Sequence, residues 1–293
     1  MATTVAKPEI WAKELLAKIS LVNVGLNFVT TALTDELLSQ GDTVNTITPG
    51  SLTAGTYTKY TDITLGEMSD SEESLVVSDT AYWAFTCDDI DRVQANPALI
   101  RRYMQEGGAT ISRAVDTYIL GAHTAAHANN KITGASNAAL SLATNAPYDL
   151  LVDASVKLSK FDAPLEGRWV VIDPDTHGVL LKDKDYFIRA SDLGDTVLST
   201  ARFEGATAAN TPGFVGRIAG FDVYLSSNLP TASAKTYLIY GQGRPIDYVS
   251  QLNEIQVTPL AKQFGVVVKQ LILHGKKVFA ENSKRLGSIY VTA

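Results

Sequence analysis

Apolar positions along the chain recur at two spacings, and the switches between them mark its segments. Trp11, Leu15, Leu16 and Ile19 recur at helical spacing, and Thr34-Asp-Glu-Leu-Leu reads as an N-capped turn ending near Gly41. Neither piece carries a core of its own, so residues 1–40 read as an arm. Asp42 to Ile47 reads as a strand stopped by Pro49-Gly50. Leu75 to Phe85 reads as a longer strand with Leu75, Val77, Ala81, Trp83 and Phe85 on one face. The tract between them is rich in Gly, Thr, Ser and acid. The pattern therefore predicts a long two-stranded loop over 41–87, and because an isolated ribbon is marginal in water it needs a partner surface.

Asn96-Pro97 is a helix start, with Asn as cap and Pro at the first helical position. Ile100, Met104, Gly107, Ile111, Val115, Tyr118, Ile119 and Ala122 then hold one face of a long helix. Gly107-Gly108 costs about 1 kcal/mol per glycine relative to alanine, which predicts a bend or a close contact there. The small residues of 133–146 form a connector. Pro147 opens a second helix with Leu150, Leu151, Ala154 and Leu158 on its apolar side. Arg168 to Ile172 is a short apolar strand, Gly178 to Phe187 reads as helix, and Gly205 to Gly216 as loop. Phe221 to Leu225 and Thr236 to Tyr240 are strands. The tail from Ile255 to Val278 is dominated by β-formers, and Ser288 to Thr292 adds a terminal strand. The order of elements is α+β.

Composition sharpens this picture. In 293 residues, 45% are hydrophobic and 19% charged, against about 25% charged in an ordinary soluble domain. So thinly charged a chain implies either an unusually compact fold or an outer face largely covered by other subunits, and the second is the expectation. The one cysteine, Cys87, excludes an internal disulfide or a CxxC site. The start has no apolar leader and no charge-free apolar run reaches about 18 residues, so a soluble protein that is not exported is expected. A net charge of -6 argues against a general nucleic-acid binder, which needs a basic face. Charge is also unevenly placed. Thr34 to Asp91 holds twelve acidic residues and one basic residue, Lys59, whereas Ala261 to Ala293 holds Lys262, Lys269, Lys276, Lys277, Lys284 and Arg285 against Glu281. The two segments are complementary: they read either as two solvated faces that happen to differ or as surfaces that meet, within a chain or between chains.

Candidate chemistry is thin. His123-Thr-Ala-Ala-His127 has zinc-helix spacing, but Thr124 stands where a protease would place its general-base Glu. Asp173, Asp175 and His177 alternate as metal ligands can, yet Asp-Pro-Asp is also a strand exit in which Asp175 or Thr176 caps the next helix. Asp88 and Asp89 would raise the thiol pKa of Cys87, against its use as a nucleophile. The glycines at 213, 216, 220, 241 and 243 fit no phosphate-cradling spacing. No catalytic residue, cofactor or metal is expected. A metal-dependent hydrolase using the His123/His127 or Asp173/Asp175/His177 groups is the alternative from another class.

Asp88-Asp-Ile-Asp before the long helix, Arg168-Trp-Val-Val-Ile-Asp-Pro, Gly220-Phe-Asp-Val-Tyr-Leu-Ser-Ser-Asn-Leu-Pro230 and Leu271-Ile-Leu-His-Gly-Lys-Lys-Val278 occur in a telling order. In that order the chain resembles the major capsid proteins of tailed double-stranded DNA bacteriophages, the Hong Kong 97-type fold. The resemblance implies an N-terminal arm at 1–40 and an extended loop at 41–87. It implies a peripheral domain with its spine helix at 88–134 and 255–293, and an axial domain at 135–254. It further implies self-assembly into pentamers and hexamers of an icosahedral head enclosing double-stranded DNA, built in the host cytoplasm. Partners would be other copies, a separate scaffolding protein, a portal and, where present, a decoration protein, with weak non-specific contact to packaged DNA and none to membrane. In that family the extended loop lies over the neighbour's peripheral domain. Lys59, Glu72, Glu73 and Trp83 of one subunit are thus expected to face Lys276, Lys277, Lys284 and Arg285 of the next. The namesake's Lys–Asn crosslink matches here only by region, through Lys59 and Asn282. An encapsulin-like compartment is the runner-up within the fold.

Overall fold

The computed structural model describes residues 23–32, 43–50, 54–62, 70–88, 97–182, 213–252, 255–260 and 264–292. The arm helix, the turn at Thr34 and the Asn96 cap lie outside the described residues. In chain order the elements are β1 (Val29–Thr30), β2 (Thr43–Pro49), β3 (Asp70–Val76), β4 (Asp79–Asp88), α1 (Pro97–Leu120), β5 (Lys131–Ile132), β6 (Leu140–Ser141), α2 (Pro147–Ser159), β7 (Arg168–Ile172), α3 (Pro174–Lys182), β8 (Phe214–Ile218), β9 (Phe221–Leu225), β10 (Thr231–Ala232), β11 (Lys235–Gln242), β12 (Ile246–Leu252), β13 (Gln256–Pro259), β14 (Gly265–Lys277), α4 (Ala280–Ser283) and β15 (Leu286–Thr292).

Among the described residues the strands form two sheets and a ribbon. One sheet runs β5-β15-β11-β7-β9-β8, with β10 on β11 and β6 on β15; the other runs β1-β12-β14-β13, with β4 on β14; β2 and β3 pair alone. The spine α1 is unbroken and at 1.5 Å per residue spans about 36 Å. Ile111, Val115 and Ile119 are buried along it, as the periodicity predicts. Of the two outcomes expected at Gly107, the structure takes the close contact: a Cβ there would lie 2.8 Å from the Trp83 ring.

The middle region follows its sequence closely. Leu150, Leu151, Ala154 and Leu158 are the buried face of α2. All of β7 is buried: β11 and β9 pair both its edges, and both its faces are covered, with Trp169 stacked on Phe28 and Ile172 beside Leu150, Leu151 and Leu180. Arg168, which opens β7, is buried among oxygen acceptors. Its guanidinium donates to the carbonyls of Ser155, Ala163 and Pro164 and to the hydroxyls of Ser155 and Ser159. It thereby ties the last turns of α2 and the turn that follows them to the start of β7.

Three readings change. The strand expected over Leu75 to Phe85 is two strands, β3 and β4, which leave Val77 and Ser78 between them and belong to different sheets. Val77, between them, stays inward with Leu75 in a small core with Val44, Val249 and Phe279. The terminal strand β15, expected with the spine, instead lies along β11 from Thr236 to Gly241, while β12 crosses to join β14. The sheets therefore exchange strands across the boundary expected at 254. Finally, β8 begins at Phe214, inside the segment expected as loop.

Candidate assembly surface

The ribbon β2–β3 pairs from Thr43 opposite Val76 to Pro49 opposite Asp70. Its period-2 alternation turns Val44 and Leu75 inward. Ile47 is turned outward, 67% exposed, and the tip residues 54–62 are all exposed, with Tyr60 at 89%. The Lys59 ammonium lies 4.8 Å over the Tyr60 ring. Glu72 is exposed, but Glu73 turns back to the chain, where its carboxylate accepts from the Ala280 N–H at 3.1 and 3.2 Å. The acidic loop and the tail thus meet within the chain at the ribbon's root.

Trp83, expected at a neighbour's surface, is spent inside its own chain. Its indole N–H donates to Gln270 Oε1 at 3.0 Å, its ring lies on Gly107 and stacks on Phe85, and Phe85 meets Tyr103 of the spine. The missing Cβ of Gly107 makes room for the indole, a pairing that periodicity cannot foresee. Trp83 therefore fixes β4 to α1.

The basic tail divides in the same way. The Lys276 ammonium lies 4.2 Å over the Tyr118 ring and donates to the Tyr118 carbonyl at the end of the spine. Burial lowers its pKa to about 8, against the raising effect of Asp79. Gly121 lies close beside it: a Cβ there would stand 2.8 Å from Nζ, so the flexible ammonium end would have to shift. Lys284 pairs with Glu281 at 2.9 Å, Arg285 is exposed and Lys277 is half-buried.

The metal candidates are engaged locally. His123 is buried and stacks on Tyr237, while His127 accepts from the Asn129 N–H at 3.2 Å and so caps a short turn. The helix expected to carry both on one face has ended at Leu120. Asp173 accepts from the Thr176 N–H at 3.3 Å and caps α3, the role expected of Asp175 or Thr176. The described residues contain no cluster of three or more His, Cys, Asp or Glu able to hold a metal.

A family model described as phage capsid protein matches residues 72–260. The chain belongs to the phage capsid protein family. Its fold is that of solved capsids, the Hong Kong 97-type fold anticipated above. A chain of Mycobacterium phage Che8 aligns with a TM-score of 0.70 at 21% identity, covering 91% of this chain and 90% of that one. The capsid of Cyanophage P-SCSP1u aligns at 0.66 and 16%, covering 91% and 86%. A virus-like particle from Pyrococcus furiosus aligns at 0.55 and 12%, covering 96% and 98%. At these identities the likeness is one of fold. No curated protein matches the chain.

One structural residue of this capsid protein escapes sequence reasoning. Asp116 is fully buried on the inward stripe of the spine, where it accepts from the Gly25 N–H at 2.7 Å, the Asn228 side chain at 2.9 Å and the Ser226 hydroxyl at 3.3 Å. It ties the N-terminal segment, the spine and the loop after β9 together. The available signal is a carboxylate beside Val115 on a mostly apolar face that also buries Ser112, with its partners roughly a hundred residues away.

Proposed function

We propose that this protein is the major subunit of an icosahedral phage head, assembling as pentamers and hexamers around double-stranded DNA. The observation that carries the reading is the ribbon β2–β3, which extends from a small rooted core with Ile47, Tyr57 and Tyr60 outward. An isolated ribbon of this kind gains stability by lying on another surface, and a capsid subunit meets such a surface on its neighbour. The contact we infer uses Ile47, Tyr57, Lys59, Tyr60 and Glu72 on one subunit, with Lys277, Lys284 and Arg285 among the groups on the next. Lys276, Glu73 and Trp83 support it from within the chain. The peripheral and axial domains are read along the two sheets, with β12 assigned to the former and β15 to the latter. Catalysis, a cofactor and a metal form no part of the role. A scaffolding protein, a portal and assembly in the host cytoplasm complete the reading.

Negative-stain electron microscopy of the protein expressed alone, with absorbance at 260 and 280 nm, tests it. Closed shells or capsomer rings are expected. Uniform monomers that stay monomeric when a scaffolding protein is supplied would overturn it. The likeness to a virus-like particle keeps a compartment shell as the second reading; particles from infected cells that hold protein cargo and no nucleic acid would favour that instead.

A further inference from the structure

The end of the spine, the first residue of β4 and the end of β14 meet in a cluster with no part in the outward surface. Sheet register builds it. His274 and Lys276, two apart on β14, share one face of the strand. Asp79 stands directly opposite His274 across the β4 pairing, while Ser250 and Tyr248 of β12 stand opposite His274 and Lys276 on the other side. Tyr118 of α1 lies across this face. Its ring stacks on His274 with centroids 4.2 Å apart, and its hydroxyl donates to the Asp79 carboxylate. The Tyr248 hydroxyl is 3.4 Å from His274 Nδ1, and His274 is 3% exposed. Beyond the Lys276 ammonium lies a second buried imidazole, His123, between Tyr237 and Tyr290, with Lys131 as its other charged neighbour.

The charged and titratable groups facing His274 are therefore Asp79 from β4, Tyr118 from α1, Tyr248 from β12 and Lys276 from its own strand. Asp79 follows directly on the break at Val77-Ser78, where the chain leaves the ribbon and enters the sheet. We propose that this cluster is a proton-operated clasp. With His274 neutral, Asp79 holds the Tyr118 hydroxyl and ties the root of the extended loop to the spine. With His274 protonated, the imidazolium beside Lys276 draws Asp79 away from Tyr118, and the tie is released.

The energetics have the required sign. Burial lowers the His274 pKa, Asp79 opposes this and Lys276 adds to it. An imidazole held below its ordinary value of about 6.5 contributes its full stability above that pH. The contribution is lost as pH falls through 6.5 toward the lowered value. Neighbouring positive charge penalises the second cation further. The inference rests on the fold of one chain and is independent of how the shell assembles.

Hydrogen exchange of the full chain at pH 7.5 and 5.5, corrected for the intrinsic rate, reads the clasp directly. In the wild type, protection of amides in Asp79–Asp88 and Thr117–Ala122 is expected to fall on acidification, by up to about tenfold, the most that one imidazole of ordinary pKa about 6.5 can supply over this range. His274→Gln keeps a neutral side chain and should abolish the response. Tyr118→Phe removes the hydroxyl and should show the loosened level at both pH values. No fall in the wild type, or an equal fall in His274→Gln, would overturn the proposal. Should the variants fail to fold, NMR titration of the wild-type His274 ring decides: a pKa at or above the ordinary value overturns it, and one below supports it. The chain can be read in either state of assembly, so failure of the capsid reading would leave this result standing.

Discussion

Gly107 and Trp83 are locked together, and that lock decides the sign of a substitution that helix propensity alone would get wrong. Alanine is about 1 kcal/mol better than glycine inside a helix, but at Gly107 a Cβ would lie 2.8 and 2.9 Å from the indole, and overpacking of this kind costs about 1–3 kcal/mol. Gly107→Ala should therefore lower the urea midpoint. Gly178 lies in α3 with nothing within 4 Å of its would-be Cβ, so Gly178→Ala should raise it, by about 0.5–1 kcal/mol. If both changes stabilise, the Trp83 contact is not the constraint described. Asp247 offers a test in pH. Burial pushes its carboxyl up to about 6, although the Asn282 side chain hydrogen-bonds to it, and one oxygen has no partner. Because the folded chain holds this proton more tightly than the unfolded one, stability falls as pH rises from about 4 through 6. Asp247→Asn should thus stabilise the protein at pH 7, by about 1–3 kcal/mol, and have little effect at pH 4. Equal effects at both values, in denaturation curves, would remove the carboxylate from the account.

The ribbon's root is a separate small core, and elements joined this way come loose alone. Leu75 is fully buried in it with Val44, Val77, Val249 and Phe279, and a buried Leu→Ala change costs about 2–5 kcal/mol. Leu75→Ala should speed protease cleavage within the extended loop and leave the unfolding midpoint of the remaining chain nearly in place. A parallel loss of both would show the root to be part of the main core. The same elements show what could be read without coordinates. The spine, α2 and β7 were legible because each is decided by its own local period: Leu150, Leu151, Ala154 and Leu158 face inward wherever the helix packs. The break at Val77 and the exchange of β12 and β15 were not, since parity assigns a residue to a face of a strand and leaves open which sheet that face meets. For that reason Trp83 and Ile47, both apolar residues of the expected loop, could not be told apart, although one is buried against the spine and the other is exposed. Charge was legible in part. The two segments do meet, through Glu73 on the Ala280 N–H and Asp79 near Lys276, but within the chain, where composition offered no choice between the two meetings, and only the second contact pairs acid with base.

At the scale of the shell, the contact we infer between the outward ribbon and a neighbour's tail would have a charged and an apolar part, which salt and substitution separate. Exposed ion pairs are worth about 0–1 kcal/mol each and are screened within about 8–10 Å at ordinary ionic strength. Reversing Lys277 and Arg285 to Glu should therefore weaken assembly modestly at low salt and scarcely at high salt. Apolar anchors behave differently. Ile47 is 67% exposed in the single chain, so Ile47→Asp should leave subunit stability within about 0.5 kcal/mol. If the ribbon lies on a neighbour, however, the same change buries a carboxylate without a partner at every copy of the contact. Subunits of Ile47→Asp should then unfold at the wild-type midpoint yet yield few closed shells at any salt concentration, as counted by light scattering and negative-stain microscopy. Normal shells from Ile47→Asp, together with a large salt-independent defect in the double charge reversal, would invert this ranking and place the energy of assembly in the tail.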